Sequence, residues 1–150
     1  MLDLFAGTGA LGFEAYSRGA SKVVYVERSR AVARALKERI EKLGLSEDPG
    51  IELYVIDATK GITRLANRAE LLFDLVFLDP PYAEADREAF LETLFAAGIL
   101  SEGARVVVEG PTRHPVRPLS GMRIVDERRY GETLLTWLVS TRSKQDAEQE

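Results

Sequence analysis

Asp3-Leu4-Phe5-Ala6-Gly7-Thr8-Gly9-Ala10-Leu11-Gly12 is the stretch that decides the fold. Met1 to Phe5 reads as the end of a strand. Thr8 is placed to cap a helix running to about Arg18, with Gly19 as its stop. Between strand and helix, Gly7, Gly9 and Gly12 form G-x-G-x-x-G. Glycines let a backbone approach a ligand closely, and a helix start offers free N–H groups. Glu27, twenty residues beyond Gly7, ends the next strand, where an acid accepts hydrogen bonds from ribose hydroxyls. The loop therefore predicts a nucleoside-containing cofactor, with a structural turn beside a surface Glu as the plain alternative. Asp3, four residues before Gly7, favours S-adenosylmethionine over NAD, because an acid there repels a pyrophosphate but suits a methionine ammonium. Asp57, ending the third strand, is placed to accept from an adenine amine or, equally, to cap a helix.

Outward from this loop, strand and helix patterns alternate, which predicts an α/β fold with a mostly parallel sheet covered on both faces. Lys22–Glu27, Ile51–Ile56, Phe73–Leu78 and Ala104–Glu109 read as strands. Ser29 caps a helix carrying Val32, Leu36, Ile40 and Leu43 at helical spacing and ended by Gly44. A short helix is expected over Thr59–Ala66. Asp86 caps another, with Phe90, Leu91, Leu94 and Phe95 on one side. The Pro-rich stretch from Pro111 to Pro118 replaces any long helix. Arg123–Arg129 and Thr133–Ser140, around Tyr130-Gly131-Glu132, read as an antiparallel hairpin. The expectation is a doubly wound, Rossmann-like sheet of seven strands, mostly parallel, ending in that hairpin. Trp137 is expected in the core. Residues 1–140 are expected to form one domain, and the polar stretch 141–150 a frayed tail. A central strand that starts at residue 1 also predicts a preceding segment.

Phe77-Leu78-Asp79-Pro80-Pro81-Tyr82 is the most specific signal in the chain. Two prolines make a stiff, non-helical turn directly after a buried strand, at the sheet edge where doubly wound folds bind ligands. Prolines donate nothing, so the turn offers two acceptors, the Asp79 carboxylate and the Pro80 carbonyl. Two convergent acceptors match an NH2 group, and Tyr82 adds a face on which a base can stack. An aromatic amine is a poor nucleophile because its lone pair is delocalised. Holding both its hydrogens out of plane returns that pair to nitrogen for attack on a sulfonium methyl, while Asp79 offsets the charge that develops. The plain alternative is a rigid turn that caps a strand.

The 150 residues are 45% hydrophobic and 29% charged, with a net charge of -4, which suits one soluble globular domain. Cys is absent, which excludes thiol catalysis and disulfides. No basic leader precedes the first strand, and Leu71–Leu78, the most apolar run, is far too short to span a membrane. A cytoplasmic monomer without a membrane role is expected. Arg113, Arg117, Arg123, Arg128 and Arg129 form a local basic stretch, either a solvated face or one turned towards phosphates. The single histidine, His114, argues against a metal site, so none is expected. Glu109 ends the fifth strand near the same edge, where it reaches either the substrate or a helix or turn partner.

These residues resemble a known family. Asp3–Gly9 with Asp79–Tyr82 is similar to the amino-methyltransferases of nucleic-acid bases. Asp3–Ala20, Val26-Glu27-Arg28, Phe77–Tyr82 and Tyr130-Gly131-Glu132-Thr133 narrow the resemblance to the RsmD family, bacterial guanine-N2 methyltransferases of small-subunit ribosomal RNA. It extends to about Leu138. The resemblance implies the class I methyltransferase fold, S-adenosylmethionine as cofactor, and ribosomal RNA or an assembling small subunit as partner. It implies that Asp3, Phe5, Ala6, Gly7 and Gly9 line the methionine end of the cofactor. Glu27, with Arg28 beside it, would hold the ribose, and Asp57 with Ala58 the adenine. Asp79, Pro80, Pro81 and Tyr82 would be the catalytic turn holding a guanine flipped out of its stack. The family carries a basic N-terminal segment that this chain lacks, and Met1 stands where Val is usual, which points to a GTG valine codon read as a start. Two other readings stay open: an NAD-dependent oxidoreductase on the same glycine loop, and an inactive cofactor- or RNA-binding remnant. DNA adenine and protein glutamine rank lower as substrates, because no target-recognition domain fits and Asp, not Asn, opens the turn.

Overall fold

The computed structural model describes residues 1–81 and 86–141. The chain divides into two compact units, Met1–Gly61 and Ile62–Glu150. Among the described residues there are seven strands and four helices. The fold is the expected α/β class I methyltransferase arrangement, with parallel pairing early and an antiparallel hairpin last.

In the first unit, β1 (Leu2–Asp3), β2 (Val23–Glu27) and β3 (Ile51–Val55) run parallel in the order β3-β2-β1. The run Val23-Val24-Tyr25-Val26 is completely buried, which suits a central strand covered on both faces. Helix α1 (Ala10–Ser17) and helix α2 (Arg30–Lys42) connect the strands. Tyr25, Leu36, Ile40, Val23 and Ala6 form a buried cluster, flanked by Phe13, Tyr16, Leu53 and Ile51. Each fully buried Leu or Val contributes about 1.5–3 kcal/mol relative to exposure. Ser29 caps α2 as expected, its hydroxyl accepting from the Val32 N–H at 3.3 Å. Gly44 ends that helix at φ 70°. The apolar stripe is narrower than its spacing suggests: Leu36 and Ile40 are buried, while Val32 and Leu43 are exposed.

The helix after the glycine loop begins differently from the sequence expectation. Gly9, not Thr8, is the N-cap residue, at φ 76°, and no side chain caps α1. Thr8 is exposed, and its carbonyl accepts from Arg39 Nη1 at 3.2 Å. The left-handed turn at Gly9 replaces the extended geometry that a threonine cap requires.

Helix α3 (Ala58–Ala66) runs from the first unit into the second. In the second unit, β4 (Phe73–Leu78) and β5 (Leu100–Pro111) pair in parallel. Strand β7 (Thr133–Ser140) pairs antiparallel with both β5 and β6 (Met122–Tyr130), giving the order β4-β5-β7-β6. The bounds of β4 and β7 match the sequence reading. Strand β5 starts four residues earlier than Ala104 because Phe73 pairs with Leu100 ahead of an irregularity in the ladder, through polar residues that carry no strand signal. Helix α4 (Arg87–Ala96) is capped by Asp86, which accepts from the Ala89 N–H at 2.9 Å. It buries Leu91 and Leu94 completely, while Phe90 and Phe95 are half-buried.

Trp137 departs from expectation: it is half-buried, not in the core. The Arg128 guanidinium lies over its ring at 5.1 Å, and Arg128 also pairs with Asp126 at 3.0 Å. On the twisted outer hairpin the inward positions fall to Thr136 and Leu138, both fully buried. The tail beyond Thr141 lies outside the described residues. No helix among the described residues is long and apolar enough to cross a membrane.

Candidate functional site

The glycine loop is closed by the acid expected to face a ribose. Glu27 Oε2 accepts from the Gly7 N–H at 2.9 Å, and Oε1 accepts from the Ser29 N–H at 2.8 Å. Each oxygen keeps a lone pair, so the carboxylate is oriented without being used up. Gly7 sits at φ 54°, and a Cβ there would meet open space. Gly9 differs. A Cβ there would stand 2.4 Å from Leu36 Cδ1 and 2.9 Å from Phe13 Cε2. At Gly12 it would stand 2.4 Å from Tyr25 Cε1. Two of the three glycines thus answer to packing inside the fold.

Asp3 is buried beneath the loop, opposite Tyr25 in the β1–β2 ladder. Burial, reinforced by the Asp3 charge, pushes the Tyr25 phenol well above its ordinary value. That hydroxyl donates to the Gly9 carbonyl at 3.1 Å, which ties the loop to the core of β2. Phe5 is half-buried and Ala6 buried. Asp57 Oδ1 accepts from the Thr59 N–H at 3.0 Å at the start of α3, the capping alternative, and Ala58 beside it is buried. Arg28 is exposed. A cavity of about 430 Å³ opens between the loop and α2, lined by Gly7, Thr8, Val32, Leu36 and Arg39 among others. Of the residues expected to hold the cofactor, Gly7 alone lines it.

In the second unit, Asp79, Pro80 and Pro81 line a cavity of about 170 Å³ together with Arg87, Glu109, Gly110, Pro111 and Thr133. Leu78 pairs with Val108 in the parallel β4–β5 ladder, so Asp79, just past the end of β4, comes beside Glu109, which does not end its strand as expected but stays in β5 and pairs with Leu135 of β7. Asp79 is exposed as a residue, yet packing around its carboxyl desolvates it and raises its pKa. Burial raises Glu109 as well, and the Asp79 charge adds to the shift. No hydrogen bond or ion pair from another described residue reaches either carboxylate. Tyr82, the fourth residue of the expected turn, lies outside the described residues.

Arg87 was not singled out by sequence. It is 6% exposed, its guanidinium donates to the His114 carbonyl, and it lies against the backbone of Gly110, where a Cβ would collide with Nη1. Two signals pointed to it. A cation in the first turn of a helix opposes the helix dipole, and a glycine inside a strand marks close approach. Among the described residues, no group of His, Cys, Asp and Glu is arranged to hold a metal.

Comparison with known proteins adds three findings. The family described as "Conserved hypothetical protein 95" matches residues 1–139. YlbH of Bacillus subtilis is 36% identical over 108 residues, 72% of this chain and 57% of that protein. "Ribosomal RNA small subunit methyltransferase D" of Haemophilus influenzae is 32% identical over 130 residues, 87% of this chain and 66% of that protein. The chain therefore spans about 57–66% of the length of these curated relatives. A solved structure, a conserved hypothetical protein of Streptococcus pyogenes, matches with a TM-score of 0.80 at 35% identity, covering 93% of this chain and 84% of that one.

Proposed function

This chain belongs to the RsmD family, described as Conserved hypothetical protein 95, and from that premise we propose that it methylates the exocyclic N2 amine of a guanine in small-subunit ribosomal RNA, with S-adenosylmethionine as donor. The observation that carries the reading is the cavity at the carboxyl end of β4, where Asp79 follows a buried strand and two prolines stiffen the turn. Relatives named as ribosomal RNA methyltransferases support the substrate class.

The residues of the first unit fit the proposed donor. Asp3 and Glu27 end adjacent parallel strands, β1 and β2, and Asp57 follows β3. An ammonium, two ribose hydroxyls and an adenine amine are all hydrogen-bond donors, and three carboxylates are the acceptors they need. Asp3, buried four residues before Gly7, puts a carboxylate by the glycine turn that would repel a pyrophosphate, which disfavours NAD. S-adenosylmethionine, when bound, supplies an electrophilic methyl on sulfur. Asp79 and the Pro80 carbonyl would take the two amine hydrogens, which frees the nitrogen lone pair for attack. Asp79 or water would take the surplus proton that methylation leaves on the nitrogen. Tyr82 stacks on the flipped base in this reading.

A binding measurement separates this reading from the oxidoreductase one. S-adenosylhomocysteine at a hundred times its Kd should stabilise the fold by about 2.7 kcal/mol, and NADH should give no saturable shift. Saturable stabilisation by NADH alone would reverse the assignment.

The acids also set a pH dependence. Protonation turns one Asp79 oxygen from acceptor into donor and removes the charge that offsets the cation developing on nitrogen, and its carboxyl, like that of Glu109, titrates above the ordinary carboxylate range. kcat/KM should therefore be lost as pH falls through these raised values, before ordinary carboxylates near pH ~4 are protonated. The loss belongs to the pair, because the two groups interact. A rate profile flat down to pH ~4 contradicts the role given to Asp79.

A further inference from the structure

We propose that Glu109 is the residue that selects guanine, its carboxylate accepting the N1–H of the base while Asp79 accepts from the neighbouring N2 amine. The inference rests on the methyltransferase reading above and adds the determinant of base identity.

Three observations converge on it. The β4–β5 register brings Asp79, just past the end of β4, beside Glu109 of β5, and both line one cavity. Neither carboxylate receives a hydrogen bond or ion pair from the described residues, so the fold itself does not use them. Their mutual repulsion is left standing, with Arg87 in the same cavity engaged at the His114 carbonyl. Two adjacent acceptor groups held apart from any protein donor call for a ligand edge made of adjacent donors.

Guanine has such an edge. N1 carries one hydrogen and N2 two, a contiguous row of three donors on neighbouring atoms. Adenine carries an amine beside N1, but its N1 is a lone pair, which a carboxylate repels. Cytosine has the same mismatch at N3. A lone Asp-Pro-Pro turn grips any arylamine. The second carboxylate makes the grip specific, because a site built to accept a hydrogen strongly rejects a base that lacks it. The alternative role for Glu109, a helix or turn partner, finds no partner atom among the described residues.

The test is a cycle of enzyme and substrate changes. Wild-type enzyme is given unmodified small-subunit ribosomal RNA and labelled S-adenosylmethionine, and the product is digested to nucleosides. N2-methylguanosine is expected, and its absence overturns the functional reading and this inference together. With that product in hand, Glu109→Gln should lower kcat/KM about 10- to 100-fold, with the melting shift given by S-adenosylhomocysteine unchanged. A synthetic RNA carrying 2-aminopurine at the methylated position keeps the amine and loses the N1–H. Wild type should lose a similar factor on it, and Glu109→Gln should lose little more. If Glu109→Gln matches wild type on guanine, or if the two losses multiply in full, Glu109 does not read N1–H and the inference falls, while the methyltransferase reading stands. Should Glu109→Gln fail to fold, the same cycle is run with Glu109→Asp, which keeps the charge and shortens the reach.

Discussion

Asp79→Ala should lower methyl transfer to ribosomal RNA by about 10²–10³-fold, the usual cost of removing one preorganised stabilising group. The folded state should not suffer. Asp79 has no hydrogen-bond partner among the described residues, and desolvation of its carboxyl raises its pKa. A group with a raised carboxyl pKa weakens the fold as pH rises through that range, because the folded chain then holds more protons than the unfolded one. Removing it should leave the melting temperature at neutral pH unchanged or slightly higher. S-adenosylhomocysteine binding should survive as well, since Asp79 is not among the acids assigned to the cofactor. The combination of lost rate, retained cofactor affinity and retained stability separates a catalytic acid from a strand-capping turn. A structural turn residue would lose stability along with activity, and single-turnover transfer from tritiated cofactor with a parallel thermal melt reads both. Transfer within about tenfold of wild type would remove Asp79 from the chemistry, since general acid–base or electrostatic groups contribute at least about 10²-fold.

The acids at the strand ends were legible because their reasons are local. A β-branched run into Glu27, an apolar run into Asp79 and two prolines each speak within six residues, and the structure ends β2 and β4 where those runs end. Ser29 and Asp86 were legible as caps for the same reason: one oxygen answers one N–H three residues on. What was not legible depends on partners distant in sequence. Arg87 is buried because the backbone at Gly110 leaves room for it and the His114 carbonyl receives it. Trp137 stays half-open because the inward positions of β7 fall to its neighbours. The early start of β5 follows from pairing with Phe73, not from its own residues. Glu109 stood between. Its place in the fifth strand was visible, but β5 runs on past it to Pro111, and its juxtaposition with Asp79 required the register of β4 on β5.

The glycine loop carries the same lesson into a measurable contrast. Sequence alone treats Gly7 and Gly9 as equivalent, both allowing close approach of a ligand. The structure makes them different. Gly9→Ala must hold a left-handed backbone at φ 76° and drive a methyl against Leu36 and Phe13, with Leu36 fully buried and unable to swing aside. The backbone cost is about 1–3 kcal/mol and overpacking adds a similar amount, so about 2–6 kcal/mol in all. That is a large share of the 5–15 kcal/mol typical of a domain. The Gly9 carbonyl, held by the buried Tyr25 hydroxyl, would be carried along with the shift. Gly7→Ala also sits at positive φ, but its new methyl meets nothing. Its cost should be about 1 kcal/mol, and its larger effect should fall on cofactor affinity, because the open space above Gly7 is where a ligand would lie. Urea unfolding of both variants, with and without S-adenosylhomocysteine, reads the two quantities separately. Gly9→Ala should lose stability first, and Gly7→Ala should lose ligand-induced stabilisation first. Equal losses in both columns would mean that the loop is only a turn, and the assignment of Gly7 to a bound nucleoside would go with it.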